Sequence, residues 1–449
     1  MNILHYALGF PPYRTGGLTT FCMDLMQQQA KDGHRVALLW PGQMGFVRKK
    51  VSVKDRGDVV LDGGTVRSYE IINPLPVSYD EGISAFAAFT ADAGEPVYTA
   101  LLRGFAPDVL HVHTLMGLHR SLLTAAKKLG VRLVFTTHDY FPFCPKVTLF
   151  RDGMLCADAQ SCARCGGCNA TALGLRKIQL LQSPLYRRLK DSALVKRLRK
   201  RHRDKYLHED TAAATAAAAP VGSAEDYRRL RAYYIDLLGM MDCIHYNSTV
   251  TKAVYESFAG LPEGRIVSIT HAGIADHRKK KQFSDDCLRI RYLGPQSASK
   301  GYFLLRRVLD QLWNEGKRFR LDVHFTPTEP APFMQAHARY SYAELETIFE
   351  DTDVLVVPSL WYETFGYTVL EALSYGVPVI VSDTVGAKDI LPPQGGIIVQ
   401  DEAALLEALR ELDTHKLETM NQAILDKLHI QTEREFAERM GELYANDGK

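Results

Sequence analysis

Short apolar runs alternate with amphipathic stretches through the first third of the chain. Ile3 to Leu8 is strand-like and is followed by the loop Gly9 to Gly17. Leu18, Phe21, Cys22, Leu25 and Met26 then recur at the spacing of one helix face. Gly33 closes that helix, and Val36 to Trp40 is the next strand. Val109 to Val112 and Val131 to Phe135 are further strands, separated by a helical stretch around Ser121 to Leu129. Short buried strands alternating with helices predict a parallel sheet covered on both faces.

The same rhythm restarts near Leu288. Ile290 to Leu293, Leu321 to Phe325, Val354 to Val357 and Val379 to Val381 read as strands, with helices at Tyr302–Trp313, Ala343–Phe349 and Thr368–Ser374. Two such α/β halves predict two Rossmann-like domains facing each other across a cleft. The polar, Lys-rich run Asp276 to Asp286 is the expected linker. Ligands in such folds sit outside the carboxyl ends of the strands.

Composition narrows the class. At 449 residues the chain exceeds one hydrophobic core, and 46% apolar with 24% charged residues describes a folded protein. A net charge of +2 excludes a surface coated for nucleic acid. The opening residues Met1 to Tyr6 carry no basic and apolar leader pattern, and no long apolar run predicts a membrane span, so a cytoplasmic protein is expected.

Two segments fit neither half. Leu185 to Tyr206 carries ten Lys or Arg and two Asp, with Leu185, Leu189, Leu194 and Leu198 interleaved. It reads either as a solvated helix or as one lying on an anionic membrane surface, which would hold the protein at the inner face of the plasma membrane. Five of the eight cysteines crowd between Cys144 and Cys168 and include Cys-x2-Cys-x2-Cys. Thiolates at such spacing suit structural zinc. An iron–sulfur cluster and free thiols are the competing readings.

The most specific string is Pro358-Ser359-Leu360-Trp361-Tyr362-Glu363-Thr364-Phe365-Gly366, then Glu371-Ala372-Leu373 and Gly376-Val377-Pro378. It opens after the strand Val354 to Val357, with a helix expected to begin near Thr364 to Gly366 and Glu371 about two turns inside it. A helix N-terminus favours a diphosphate, and Glu363 and Glu371 suit hexose and ribose hydroxyls. Taken singly, Glu371 would read as easily as a paired, partly buried carboxylate.

The whole string resembles the donor site of the retaining glycosyltransferases of family 4, the group 1 enzymes of GT-B fold. The resemblance takes in Gly16-Gly17, Gly33-His34-Arg35-Val36, Pro107 to His113, and Thr136-Thr137-His138-Asp139. It implies that Gly16, Gly17, Lys300, Glu363, Phe365, Gly366 and Glu371 hold the donor, with His138, Glu363 and Lys300 at the reacting centre. A core histidine bonded to backbone is the competing reading of His138; His113 is preferred over His111 for the cleft. Lys300 fits the family's lysine, whereas Pro295 stands where its arginine is usual. The resemblance also implies an insert whose zinc ligands would be Cys144, Cys156, Cys162 and Cys165, leaving Cys168 spare. No catalytic metal is expected. Asp351-Thr352-Asp353 has the look of a metal motif but reads better as the start of a strand.

The expected architecture is a first domain over 1–275, carrying the insert 144–168 and the basic segment 185–206, and a nucleotide domain over 287–428. The helix 432–444 would return to the first domain. The expected partners are a nucleotide-sugar donor and a glycan or polyprenyl-diphosphate-linked oligosaccharide acceptor, with no nucleic acid. The alternatives are a sugar-nucleotide 2-epimerase, a non-catalytic nucleotide- or glycan-binding protein, and a zinc-dependent nucleic-acid binder.

Overall fold

A computed structural model describes residues 1–11, 14, 16–46, 49–78, 82–156, 160–190, 192, 195, 197, 219–284 and 286–445. Two sheets organise the chain. The first contains β1 (Asn2–Tyr6), β2 (Arg35–Pro41), β3 (Ser52–Leu61), β4 (Gly64–Ile72), β5 (Val109–Val112), β6 (Arg132–Thr136), β9 (Cys243–Tyr246) and β10 (Gly264–Ile266). Its order is β10-β9-β6-β5-β1-β2-β4-β3. Every pairing is parallel except the edge hairpin β3–β4.

β7 (Phe150–Arg151) and β8 (Met154–Leu155) form a small hairpin inside the cysteine-rich insert. The second sheet is wholly parallel. It contains β11 (Leu288–Tyr292), β12 (Phe319–Val323), β13 (Met334–Ala336), β14 (Val354–Val357), β15 (Val379–Ser382) and β16 (Gly396–Val399), in the order β13-β12-β11-β14-β15-β16. The central strands β1, β2, β5 and β15 are buried almost throughout, as strands covered on both faces must be.

The helix Glu433–Tyr444 returns to the first half. Its N-terminus is fixed by a capping box in which Thr432 and Glu435 bond each other's backbone N–H groups at 3.2 and 2.7 Å. Phe436 then meets Phe21 of the helix Gly17–Lys31 edge to face, with ring centroids 5.4 Å apart.

The run Asp276 to Asp286, the expected linker, is pinned to the second half. Arg278 donates to the carbonyls of Ile424 and Leu428 at 2.7 and 2.8 Å, and Lys281 donates to that of Phe349 at 2.6 Å. Burial pushes the Lys281 ammonium down to about 8. Asp353 is buried at the start of β14 and receives the backbone N–H and guanidinium of Arg289, at 2.8 and 3.1 Å. Asp351 is held by Arg289 and Arg320, so this Asp-x-Asp is a structural ion-pair cluster. The basic segment is described only in part. In the helix Pro184–Leu189, Leu185 and Leu189 are exposed, while Arg187 sits over the Trp40 ring and pairs with buried Glu70 at 3.2 Å. Residues 198–206 lie outside the described residues.

Candidate active site

Two loops at the carboxyl ends of β11 and β14 are zipped together. The carbonyl of Ser299 accepts from the backbone N–H groups of Leu360 and Trp361 at 2.9 and 3.2 Å. This contact carries Lys300 onto Glu363, with which it forms an ion pair, and over the Trp361 ring at 4.4 Å. The Trp361 indole N–H also donates to Glu363, at 2.9 Å. The Glu363 backbone is held by a bridge to the next loop, with its N–H on the Thr384 carbonyl and its carbonyl on the Gly386 N–H, both at 3.0 Å. Pro295 offers no cation; its carbonyl accepts from the Tyr292 hydroxyl at 2.8 Å.

The helix Tyr367–Ser374 starts between the two expected points, just past Thr364 to Gly366 and one residue before Thr368, after Gly366 in a left-handed conformation with φ +104° and no side-chain cap. Its first N–H groups are thus not engaged by a capping side chain. Glu371 lies little more than one turn inside, not two, and is buried. Its carboxylate hydrogen-bonds Tyr342, whose phenol is raised by burial and by that charge. His271, from the first half, brings Nε2 to 3.5 Å from Glu371 Oε1, but the geometry leaves that nitrogen without a hydrogen-bond partner. Across the cleft, Gly17 approaches the Tyr367 ring closely enough that a Cβ there would touch it at 3.9 Å. Phe365 is buried beneath the turn.

His138 follows β6 and is half-buried, packed edge-on to Phe21 at 4.6 Å. Its Nε2 lies 3.2 Å from Nδ1 of His113. His111 and His113 are both buried, and neither is a free cleft residue. Two residues on from His138, Tyr140 approaches Tyr362 across the cleft at 6.2 Å. Its hydroxyl is buried without a hydrogen-bond partner among the described residues, and burial together with the Glu363 charge holds the phenol high. Tyr140, His271 and Tyr342 carry no periodic or motif signal, which is why the sequence does not reveal them.

Comparison with known proteins decides the family. The description "Glycosyltransferase Family 4" matches residues 15–155, and "Glycosyl transferases group 1" matches residues 300–415. Together they span more than half of the chain. The chain belongs to the group 1, family 4 glycosyltransferases. The sucrose-phosphate synthase of Thermosynechococcus elongatus shares the fold, with a TM-score of 0.54 at 14% identity over 98% of both chains. The Anabaena protein HepE, solved with UDP and glucose, gives 0.51 at 12% identity over 99% of both. A glycosyltransferase from Rickettsia africae gives 0.54 at 11% identity over 98% of this chain and 97% of that one. An uncharacterized 41.2 kDa protein in the cps region of Klebsiella pneumoniae is 26% identical over 197 residues, 40% of this chain. The chain spans 54% of that relative's length.

In this glycosyltransferase the two halves are latched beside the turn at Gly366. Ser248 donates to the Thr364 carbonyl at 2.9 Å, and Asp389 accepts from the N–H and hydroxyl of Thr249, both at 2.6 Å. The latch borders a cleft of about 760 Å³ lined by Thr249, Ser257, Phe258, Tyr362, Thr384 and Lys388. The cysteine-rich insert contributes Leu149, Cys156 and Gln160 to the same cleft.

The five cysteines gather within that insert. Cys144, Cys156, Cys165 and Cys168 line one small cavity of about 30 Å³, while Cys162 is fully buried and hydrogen-bonds Cys165. Cys168 thus stands on the cavity wall where the resemblance implied Cys162. The donor set is soft, of the kind a thiophilic metal takes. Among the described residues, the groupings with ligand atoms within 4.8 Å of one another are instead His5–His111–His113 and Cys22–His113–His138. The insert would therefore have to tighten around an ion. No described helix is long and apolar enough to cross a membrane.

Proposed function

We propose that this glycosyltransferase moves a sugar, with retention, from a nucleoside-diphosphate sugar to a glycan or polyprenyl-diphosphate-linked acceptor in cell-surface polysaccharide assembly. The observation that carries the donor reading is the Lys300–Glu363 ion pair beside the uncapped helix at Gly366, with Glu371 one turn inside. A diphosphate would draw Lys300 away from Glu363 and lie against the helix N-terminus. Freed of its cation, Glu363 would accept hexose hydroxyls, and Glu371 the ribose hydroxyls. Tyr140, Thr270 and His271 each bury a polar atom without a partner near this cleft, and buried polar groups are rarely left so. The location of the Klebsiella relative accords with the polysaccharide role.

In the reaction the anomeric carbon–oxygen bond to the diphosphate breaks and the acceptor oxygen bonds to the same face. The hydroxyl proton passes to the departing phosphate. The protein's part is to orient both partners and to neutralise the leaving group. With Pro295 in place of a cation, Lys388 on the cleft wall is the proposed second positive charge.

The cysteine cavity is proposed to hold zinc as a structural staple for one wall of the acceptor cleft. The basic segment is proposed to hold a membrane-borne acceptor within reach; reversing four of its charges should abolish salt-sensitive binding to anionic vesicles.

The deciding experiment is the melting-temperature shift with UDP, GDP, ADP and dTDP, for the parent and for Glu371→Ala. A nucleotide at a hundred times its Kd adds about 2.7 kcal/mol of stability. A shift with one nucleotide that vanishes in the variant supports the donor site. No shift with any nucleotide would favour a binding protein that has lost turnover.

A further inference from the structure

Eight side chains form one buried hydrogen-bonded chain that ends at His138. It begins at the Val267 carbonyl, 2.8 Å from His245 Nε2, and continues from His245 Nδ1 to the Thr136 hydroxyl at 3.0 Å. Thr136 meets His111 Nε2 at 2.7 Å, and His111 Nδ1 meets the Tyr444 hydroxyl at 2.7 Å. Tyr444 meets Gln29 Nε2 at 3.1 Å, and Gln29 Oε1 meets His5 Nε2 at 2.7 Å. His5 Nδ1 then meets His113 Nε2 at 2.9 Å, and His113 Nδ1 meets His138 Nε2 at 3.2 Å.

We propose that this relay, anchored at Thr136 and Tyr444, fixes the proton of His138 on Nε2 and leaves its Nδ1 bare as a hydrogen-bond acceptor. That this acceptor meets a sugar hydroxyl rests on the transferase reading above.

The assignment follows from one carbonyl. A carbonyl only accepts, so His245 must carry its proton on Nε2. A neutral imidazole has one N–H, so His245 Nδ1 is bare and takes the Thr136 hydroxyl proton. The Thr136 oxygen then accepts from His111 Nε2–H, leaving His111 Nδ1 bare for the Tyr444 O–H. Tyr444 oxygen accepts from the Gln29 amide, whose carbonyl accepts from His5 Nε2–H. His5 Nδ1 is bare and accepts from His113 Nε2–H, and His113 Nδ1 accepts from His138 Nε2–H. No step has a free choice. Burial supports the neutral forms: it holds His5 and His245 down to about 4 and His138 to about 3, with His111 and His113 also well below the usual range. Among the described residues, no protein group bonds His138 Nδ1. The close groupings of these histidines are explained by shared protons, since His5 Nδ1 and His113 Nε2 face each other at 2.9 Å.

The arrangement makes Thr136 and Tyr444 positioning residues. Without the Thr136 hydroxyl, His111 faces a methyl group and the direction of the chain from His111 to His138 is free to reverse. Reversal turns His138 Nδ1 from acceptor into donor. In Tyr444→Phe the Gln29 amide is likewise free to flip, with the same result at His138.

The test is the long-range proton–nitrogen spectrum of the full-length protein labelled with 15N-histidine, for the parent, Thr136→Val and Tyr444→Phe. The parent should show His138 with a bare Nδ1. Both variants should show a mixed or Nδ1-protonated His138, with kcat lowered about ten-fold and donor KM changed less than two-fold. A single unchanged His138 signal and unchanged kcat in both variants would overturn the proposal. The expected spectra in a protein that turns over no donor would uphold the relay and defeat the transferase reading instead.

Discussion

A Cβ on Gly301 would stand 1.7 Å from the carbonyl oxygen of Pro358, and Gly301 itself holds a φ of +73°. Only a glycine permits this approach of the loops after β11 and β14, and the approach is what carries Lys300 to Glu363. Gly301→Ala must adopt a left-handed conformation, at roughly 1–2 kcal/mol, and must push Pro358 away. It also weakens the two bonds to the Ser299 carbonyl, each contributing about 1 kcal/mol. The expected result is a loss of roughly 3 kcal/mol, or about 6–12 °C in Tm, with activity falling in parallel. A thermal scan within one degree of the parent would contradict the zipped-loop account.

Lys300→Ala separates chemistry from stability. The ion pair with Glu363 is partly exposed, so its loss should move Tm little. Removing the charge opposite a departing diphosphate should lower kcat by about 10²- to 10³-fold, the scale seen when a preorganised oxyanion donor is deleted. Steady-state kinetics at saturating donor would show it, and Lys300→Arg should recover part of the loss.

Glu433 makes a pH prediction. Burial, with the neighbouring Asp24 charge, pushes its carboxyl up to about 8, and its Oε2 has no hydrogen-bond partner among the described residues. The same carboxyl bears on the Tyr367 phenol. An unfolded glutamate titrates near 4.3, so between about pH 4.3 and 8 unfolding releases a proton that the folded state retains. Stability from this group is therefore undiminished below about pH 4.3, declines through that window and levels off above it. Glu433→Gln should melt a few degrees above the parent at pH 8 and level with it at pH 4.5.

The metal proposal can be read directly by elemental analysis. Purified protein should carry about one zinc per chain, and a chelator should lower Tm. Cys144→Ser, Cys156→Ser and Cys165→Ser should each lose the ion, and comparing Cys162→Ser with Cys168→Ser identifies the fourth ligand. Iron with visible absorption would assign a cluster instead, and metal-free protein with five titratable thiols in the insert would end the proposal.

The buried parallel strands and the turn at Gly366 are legible in the sequence because each is a continuous apolar run followed by a glycine-rich loop. β14 occupies the expected Val354–Val357, and β11 departs from expectation only by starting and ending slightly earlier. The hairpin β3–β4 is not legible, since β3 is an exposed edge strand whose Lys54, Asp55, Arg56 and Asp58 break any apolar pattern. The histidine relay is visible only once strands are in register. His5 pairs with His111, and Thr136 with His245, across neighbouring parallel strands. One signal was present: a histidine or threonine recurs toward the carboxyl end of β1, β5, β6 and β9. Its meaning depends on strand order, which spacing along the chain does not specify.

The return of the helix Glu433–Tyr444 has a consequence for synthesis. The last strand of the first sheet, β10, emerges from the ribosome well before residue 433 does, by roughly 10–30 s at 5–20 residues per second. Through that interval the first half has its sheet but lacks the neighbour of Phe21 and the hydroxyl that completes the relay. A product released early would therefore hold a formed sheet with the His138 tautomer unset. Until the helix Glu433–Tyr444 arrives, the first half cannot settle that proton.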